Sequence, residues 1–208
     1  MQHERRPILL GFISTLALSL VLTWHQQNVE FLLYVFVLVF LAFMVFGIDR
    51  HAHFSKGLLW CLVLWGLVHM LGGLVMISDS LPAQTEGGRR ILYTLWLIPD
   101  VLKYDQAVHA YGYAICMWLS YQWFKSRYHT SGPTLGVLVL CGLASMGLGS
   151  VNEIIEFFAQ RFIEDTNVGG YENTAWDLIF NLIGVVIAGS LIRYGHPAKE
   201  KMLGLRLF

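Results

Sequence analysis

The sequence predicts an all-α protein, a polytopic transmembrane bundle of six spans with both termini in the cytoplasm. Of its 208 residues, 56% are hydrophobic and 13% are charged, whereas soluble proteins carry about 25% charged residues. Apolar stretches near the length of about 20 residues that a membrane helix needs recur six times. The formal net charge is zero and the basic residues are scattered, so nucleic acid is not expected as a partner. We expect a single integral membrane domain over residues 1–208.

The first apolar stretch follows His3, Glu4, Arg5 and Arg6 and has the outline of a signal peptide. It leads to Thr23 without a small-x-small cleavage site, so we expect a retained first helix. The six predicted spans cover approximately residues 8–24, 29–48, 57–77, 105–124, 134–157 and 175–193.

Two of the connections between spans are long. The first contains residues 91–98, which are apolar and aromatic but too few to span a bilayer, and this predicts an interfacial or re-entrant segment. The second, residues 161–174, is acidic and contains glycine. It predicts a solvated loop or lid.

Lysine and arginine set the predicted orientation. With the N-terminus inside, four basic residues face outward: Arg89, Arg90, Lys103 and Arg161. Ten face the cytoplasm: Arg5, Arg6, Arg50, Lys56, Lys125, Arg127, Arg193, Lys199, Lys201 and Arg206. The excess on one side favours cytoplasmic termini, and an even number of spans agrees with it.

In this topology the polar residues of the last four spans fall at a similar depth, in the outer half of the membrane. They are His69, Asp105, His109, Glu153, Glu156, Asp177 and Asn181. Glu153 and Glu156 lie three residues apart, so both side chains leave on one face of the helix. A carboxylate inside a membrane costs about 2.5 to 3.5 kcal/mol on insertion scales. With Lys103 and Arg161 expected only at the rim, a bound divalent cation or protonation would balance the acids.

The fourth and sixth spans share a pattern. Asp105-x3-His109-x2-Gly112 corresponds to Asp177-x3-Asn181-x2-Gly184, a spacing that forms one helical stripe with a glycine suited to close helix approach. We therefore expect spans three to four and five to six to be two related hairpins. Spans one and two lack such residues and predict a lipid-facing buttress.

This mixed nitrogen and oxygen donor set predicts a divalent metal site, with Mg²⁺ or Mn²⁺ favoured by carboxylates and Zn²⁺ or Fe²⁺ admitted by imidazole. The expected ligands are His69, Asp105, His109, Glu153, Glu156 and Asp177, supported by Asn181. Such a metal would polarise a phosphoryl or carbonyl group of a membrane lipid or lipid-linked substrate, or activate water. Glu156 is then the expected general base, with His109 as a second catalytic group.

Simpler interpretations stand beside this one. Asp105 and Asp177 suit helix N-caps, whereas His69 and Asn181 suit hydrogen bonds between helices. A proton- or ion-coupled transporter would use the acids and histidines as a relay. A non-catalytic scaffold or accessory subunit would use them only to hold helices together. The oligomeric state stays open.

The chain resembles the YjdF-like family of small bacterial inner-membrane proteins and, more distantly, the VanZ-like family. The motifs that carry the resemblance are His69-Met70-Leu71-Gly72-Gly73, Tyr104-Asp105-x3-His109, Glu153-Ile154-Ile155-Glu156-Phe157 and Trp176-Asp177, followed by Gly184. The resemblance implies a polytopic protein of the bacterial plasma membrane with a polar outer site. One departure is visible: the family has Asp-Thr-Gln before the last motif, where this chain has Asn173-Thr174-Ala175.

Overall fold

A computed structural model describes residues 2–84, 89–129, 132–164, 166 and 169–202. It confirms the all-α bundle. The described part contains six long helices: α1 (Gln2–Gln26), α2 (Val29–Ala52), α3 (Lys56–Leu74), α4 (Tyr104–Tyr128), α5 (Leu135–Phe162) and α6 (Tyr171–Met202). Successive helices run in opposite directions, so α1, α3 and α5 end where α2, α4 and α6 begin. We call this the outer end, following the lysine and arginine asymmetry; Arg206, which contributed to that asymmetry, lies outside the described residues.

By length and hydropathy, five of these helices can cross a membrane, and α4 is the exception. At 25 residues α4 is long enough, but its first two turns carry Asp105, Gln106 and His109. Gln106 and His109 are buried, and α4 packs against α2, α3, α5 and α6. The polarity of α4 therefore faces the interior of the bundle, which is where polar groups in membrane helices belong.

Several helix ends differ from the predicted spans. Short polar side chains begin α2, α3 and α5 at Asn28, Ser55 and Thr134, each accepting a hydrogen bond from a backbone N–H of the first turn. The helices α5 and α6 extend into the predicted loop 161–174, because α5 continues to Phe162 and α6 begins at Tyr171. Residues 165, 167 and 168 of that loop lie outside the described part.

The predicted interfacial segment is a folded cap over the outer end, with no re-entrant helix among its described residues. A short 3-10 helix (Leu92–Thr94) precedes an antiparallel pair of strands, β1 (Trp96–Ile98) and β2 (Leu102–Lys103). Asp100 makes the intervening turn with a left-handed φ of 57°. The segment is joined to the end of α3 by a bridge between Met76 and Ile91. Residues 85–88 of this connection lie outside the described part.

At the inner end, Asp49 ties three segments together. Its buried carboxylate pairs with the guanidinium of Arg5 on α1 and accepts a 2.8 Å hydrogen bond from the backbone N–H of Phe54. The Arg5 guanidinium also approaches the Phe54 carbonyl oxygen, at 3.4 Å. Because the partners lie on α1 and on the turn after α2, this contact orders the start of the bundle.

We expect Asp49→Ala to lower the free energy of unfolding by about 1–3 kcal/mol, because it leaves a buried N–H and a cation without their acceptor. Thermal unfolding of the detergent-purified chain measures the loss. The matched control is Asp79→Ala, whose carboxylate is 97% exposed although it pairs with Arg90; it should cost at most about 1 kcal/mol. Equal losses in the two variants would contradict the role assigned to Asp49.

Candidate metal centre

The helices α4 and α6 approach closely at the outer end because Gly184 has no side chain. A Cβ atom at Gly184 would overlap the backbone of Ala110. The helices α5 and α6 are also close, because a Cβ atom at Gly149 of α5 would lie 2.8 Å from the side-chain nitrogen of Asn181 of α6. Small residues on α5 and α6 thus let the predicted polar stripes of α4 and α6 face each other. In contrast, Gly112 makes room for the Trp65 ring of α3.

The imidazole of His109 lies at the centre of this arrangement. Its Nδ1 is 3.0 Å from Asn181 Oδ1 and 4.0 Å from Glu153 Oε1. Its Nε2 is 3.6 Å from Asp105 Oδ1 and 4.0 Å from Asp177 Oδ1. Residues from α4, α5 and α6 therefore surround one buried ring.

The contact with Asn181 determines the chemistry of the ring. Because a side-chain amide oxygen can only accept, His109 Nδ1 carries a proton and donates it to Asn181. In the neutral ring, Nε2 then holds a lone pair that faces Asp105 and Asp177. The ligand atoms of these three residues lie within 4.8 Å of one another, and two ligands of one ion are about 3.0–3.5 Å apart for metal–ligand distances of about 2.0–2.2 Å. A small contraction would make a three-ligand metal site.

A second group of possible ligand atoms joins His109 with Glu153 and Glu156, again within 4.8 Å. The Glu153 side chain is 8% exposed. Asn152 and Thr174 lie beside it, but neither of its buried oxygens makes a hydrogen bond of normal geometry with the described residues. Glu156 differs, because its Oε1 accepts a 2.6 Å hydrogen bond from Asn152 Nδ2. A buried carboxylate without hydrogen bonds, as at Glu153, lowers stability unless it binds a cation or a proton.

Two residues at the site were not predicted to be there. Lys103, predicted at the rim, is buried with 7% exposure, and its ammonium donates a 2.9 Å hydrogen bond to Asn173 Oδ1. The Asn173 amide in turn donates to Asp177 Oδ2 at 2.6 Å and approaches Asp105 Oδ2 at 3.4 Å. Asn173 lies four residues before Asp177, so it extends the stripe of α6 by one turn. The spacing of four residues could have indicated that Asn173 shares a helix face with Asp177. It was missed because the predicted span began at residue 175, after Asn173.

Comparison with known proteins places the chain in a family. Residues 7–197 match the family described as "Predicted membrane protein (DUF2238)". The chain belongs to the DUF2238 family. No curated protein and no solved structure matches it. Together with the five apolar helices, the family match makes this a multi-pass membrane protein.

In this DUF2238 protein the predicted ligand His69 lies in neither group of ligand atoms. Its ring stacks on Trp65 and meets the edges of Tyr34 and Tyr93. The Tyr93 hydroxyl is 2.5 Å from His69 Nδ1 and 2.9 Å from the His69 carbonyl oxygen. Gly72 permits this contact, because a Cβ atom there would press on the Tyr93 ring.

The Tyr93 hydroxyl contacts His69 and lies within the field of the acidic residues. Burial, and then the charges of Asp105 and Glu156, raise the pKa of Tyr93 well above its ordinary value, so the phenol keeps its proton. Both contacts with His69 are hydrogen bonds only if the phenol donates to the carbonyl oxygen and His69 Nδ1 donates to the phenol. His69 is thus a neighbour of the centre, held by a residue of the cap.

The helix α2 begins at the outer end and packs beside the candidate site, as the predicted buttress would. Glu30 and Tyr34 are buried there. Tyr34 belongs to an apolar cluster with Phe31, and Ile155 of α5 packs against that cluster. Ile155 lies between Glu153 and Glu156, so α2 supports the helix face next to the two acids.

Proposed function

We propose that this protein binds a divalent metal ion through His109, Asp105 and Asp177, and uses it to hydrolyse or transfer a group of a lipid or lipid-linked substrate. The observation that carries the proposal is the buried His109 Nε2, which lies 3.6 Å from Asp105 Oδ1 and 4.0 Å from Asp177 Oδ1, two carboxylates of different helices. Asn181 fixes the tautomer from the opposite side of the ring, as the hydrogen-bond partners of metal-binding histidines commonly do.

The charges at the centre also favour a cation. Four carboxylates converge there: Asp105, Glu153, Glu156 and Asp177. The buried ammonium of Lys103 reaches them only through Asn173. Repulsion among the acids would be relieved by a dication. One imidazole with several carboxylate oxygens suits Mg²⁺ or Mn²⁺, and the imidazole also admits Fe²⁺ or Zn²⁺.

In the proposed reaction Glu156 is the general base and Glu153 stands beside it. Asn152 donates to one Glu156 oxygen at 2.6 Å and so orients this carboxylate. A bound metal would polarise a phosphoryl or carbonyl group, so that its phosphorus or carbon becomes a stronger electrophile. Glu156 would take the proton of the attacking water or hydroxyl, and would return it to the leaving oxygen as the bond to the leaving group breaks. His109 would hold the ion through Nε2, while its Nδ1 keeps its proton and donates the hydrogen bond to Asn181 Oδ1.

A membrane amphiphile is the proposed substrate because the centre lies within the apolar part of the bundle. Phe157, Phe158 and Phe162 follow Glu156 and are exposed on the lipid side of α5. An acyl or isoprenoid chain can lie along these rings while its polar group reaches the acids. We also propose a bacterial plasma membrane location, which the resemblance to the YjdF-like family supports.

The first test is elemental analysis of the detergent-purified protein. We expect close to one metal ion per chain in the wild type and less than about a tenth of that in Asp105→Asn/Asp177→Asn. Asparagine can still accept the Asn173 hydrogen bonds, so this variant should fold. The double variant Glu153→Gln/Glu156→Gln should keep the metal. The matched control is Glu172→Gln, an exposed acid in the first turn of α6, which should behave as the wild type.

Activity is tested in liposomes made from a bacterial lipid extract, with products identified by mass spectrometry. Metal-dependent conversion of a lipid by the wild type, lost in Glu153→Gln/Glu156→Gln with its metal retained, is the expected result. A wild-type protein without metal, whose melting temperature is unchanged by Mg²⁺, Mn²⁺, Fe²⁺ or Zn²⁺, would overturn the proposal and leave a proton relay or a structural network. Metal without any lipid conversion would overturn the enzymatic part alone.

A further inference from the structure

A groove of about 860 Å³ lies toward the inner end of the bundle, away from the metal centre. Its walls come from α3 and α6, and α4 forms its floor. The volume falls within the range of about 300–1,000 Å³ typical of small-molecule sites. Space is left here because Ala114 of α4 and Ala188 and Gly195 of α6 are small.

The lining is apolar along most of its length, with aromatic and branched side chains such as Trp118, Ile115 and Ile192. Tyr121 also lines the groove. Its hydroxyl is not accessible to solvent, so only the rest of the side chain can meet a ligand. The middle of the groove therefore suits an apolar chain.

The inner end of the groove is polar and cationic. Lys125 lies one helical turn beyond Tyr121 and lines the groove together with Ser126. A neighbouring cavity of about 290 Å³ shares Ser126 and is lined by His51, Arg127 and His129. Gln122, which also lines the groove, already bonds Ser55 at 2.9 Å. Lys125 is therefore placed to meet an anionic group at the mouth.

We propose that this groove binds an anionic phospholipid. Its acyl chain lies along Ile115 and Trp118, and its phosphate meets Lys125. Charge complementarity decides the headgroup, because the cations gather at the end where the apolar lining stops. The excess of lysine and arginine assigns this end to the cytoplasmic leaflet, where anionic lipids attract such residues.

Native mass spectrometry of the full chain in detergent tests the proposal, with phosphatidylglycerol and phosphatidylcholine of identical acyl chains as probes. The wild type should bind phosphatidylglycerol more tightly. Lys125→Gln should lower that affinity about five-fold, which corresponds to about 1 kcal/mol for one cation beside an anionic headgroup.

A matched control reports on charge alone. Arg50 is a cation at the inner end of α2 whose guanidinium lies over the Phe46 ring, outside the groove lining, so Arg50→Gln should leave both affinities unchanged. Equal binding of the two lipids by the wild type would overturn the anionic headgroup. An Lys125→Gln effect no larger than that of Arg50→Gln would overturn the assigned site.

Discussion

Replacing Gly184 by alanine is expected to lower the melting temperature of the purified protein by about 3–10 °C. The added Cβ atom would overlap the backbone of Ala110, which cannot turn aside as a side chain can. Overpacking of this kind costs about 1–3 kcal/mol and occasionally more, and a chain of this size loses about 2–4 °C per kcal/mol. Differential scanning fluorimetry of the tryptophans measures the shift.

The matched control is Gly147→Ala on α5. A Cβ atom at Gly147 meets nothing within 4 Å, so this variant gains helix propensity, about 1 kcal/mol or less, without a clash. Since the Gly184 contact also brings His109 and Asn181 together, Gly184→Ala should weaken metal binding at temperatures where the protein is still folded. Equal melting temperatures for the two variants would show that α4 and α6 do not pack through Gly184.

The six helices could be predicted from the sequence because apolar length is a property of each segment alone. The least apolar helix, α4, could still be predicted, because its polar residues lie mainly near its two ends and the turns between them are mostly hydrophobic. The helix ends were less accurate where polar residues belong to the helix. The first turn of α6 contains Glu172, Asn173 and Thr174, which a hydropathy pattern assigns to a loop.

The candidate site was predictable only where its residues lie on one helical stripe. Asp105 with His109 and Asp177 with Asn181 are local patterns, and the structure brings them together through the glycine of the second stripe. Lys103 was misplaced because charge alone puts a lysine at the rim, whereas β2 turns it inward to Asn173. A contact such as that of Lys103 with Asn173, which are 70 residues apart, produces no periodic pattern in the sequence.

The two histidines also differ in whether a local pattern or a distant contact determines their position. The position of His109 followed from its spacing to Asp105. The position of His69 depends on Tyr93, which belongs to the cap and is separated from it by 24 residues of chain. The sequence therefore made both histidines ligands, whereas the structure gives them different neighbours: carboxylates for His109 and aromatic rings for His69.

This difference leads to the second large expected effect. With Mn²⁺ at about 1,000 times its dissociation constant, binding would add about 4 kcal/mol to the stability, which is about 8–16 °C at about 2–4 °C per kcal/mol. His109→Gln should reduce this Mn²⁺-dependent rise to about a third or less, because a loss of at least about 100-fold in affinity leaves Mn²⁺ at about ten times its dissociation constant or below. His69→Gln should keep the rise, although its metal-free melting temperature falls through loss of the bond to Tyr93.

The two readouts separate ligation from packing, since one is the shift with Mn²⁺ and the other is the baseline without it. Glutamine keeps a polar side chain of similar length in both variants, so neither change leaves a large cavity. If His69→Gln reduced the Mn²⁺ shift as much, His69 would have to turn from Tyr93 toward the carboxylates when the ion binds. If His109→Gln kept the full shift, the ion would lie elsewhere, and the contacts of His109 with Asp177 and Asn181 would serve only to hold α4 against α6.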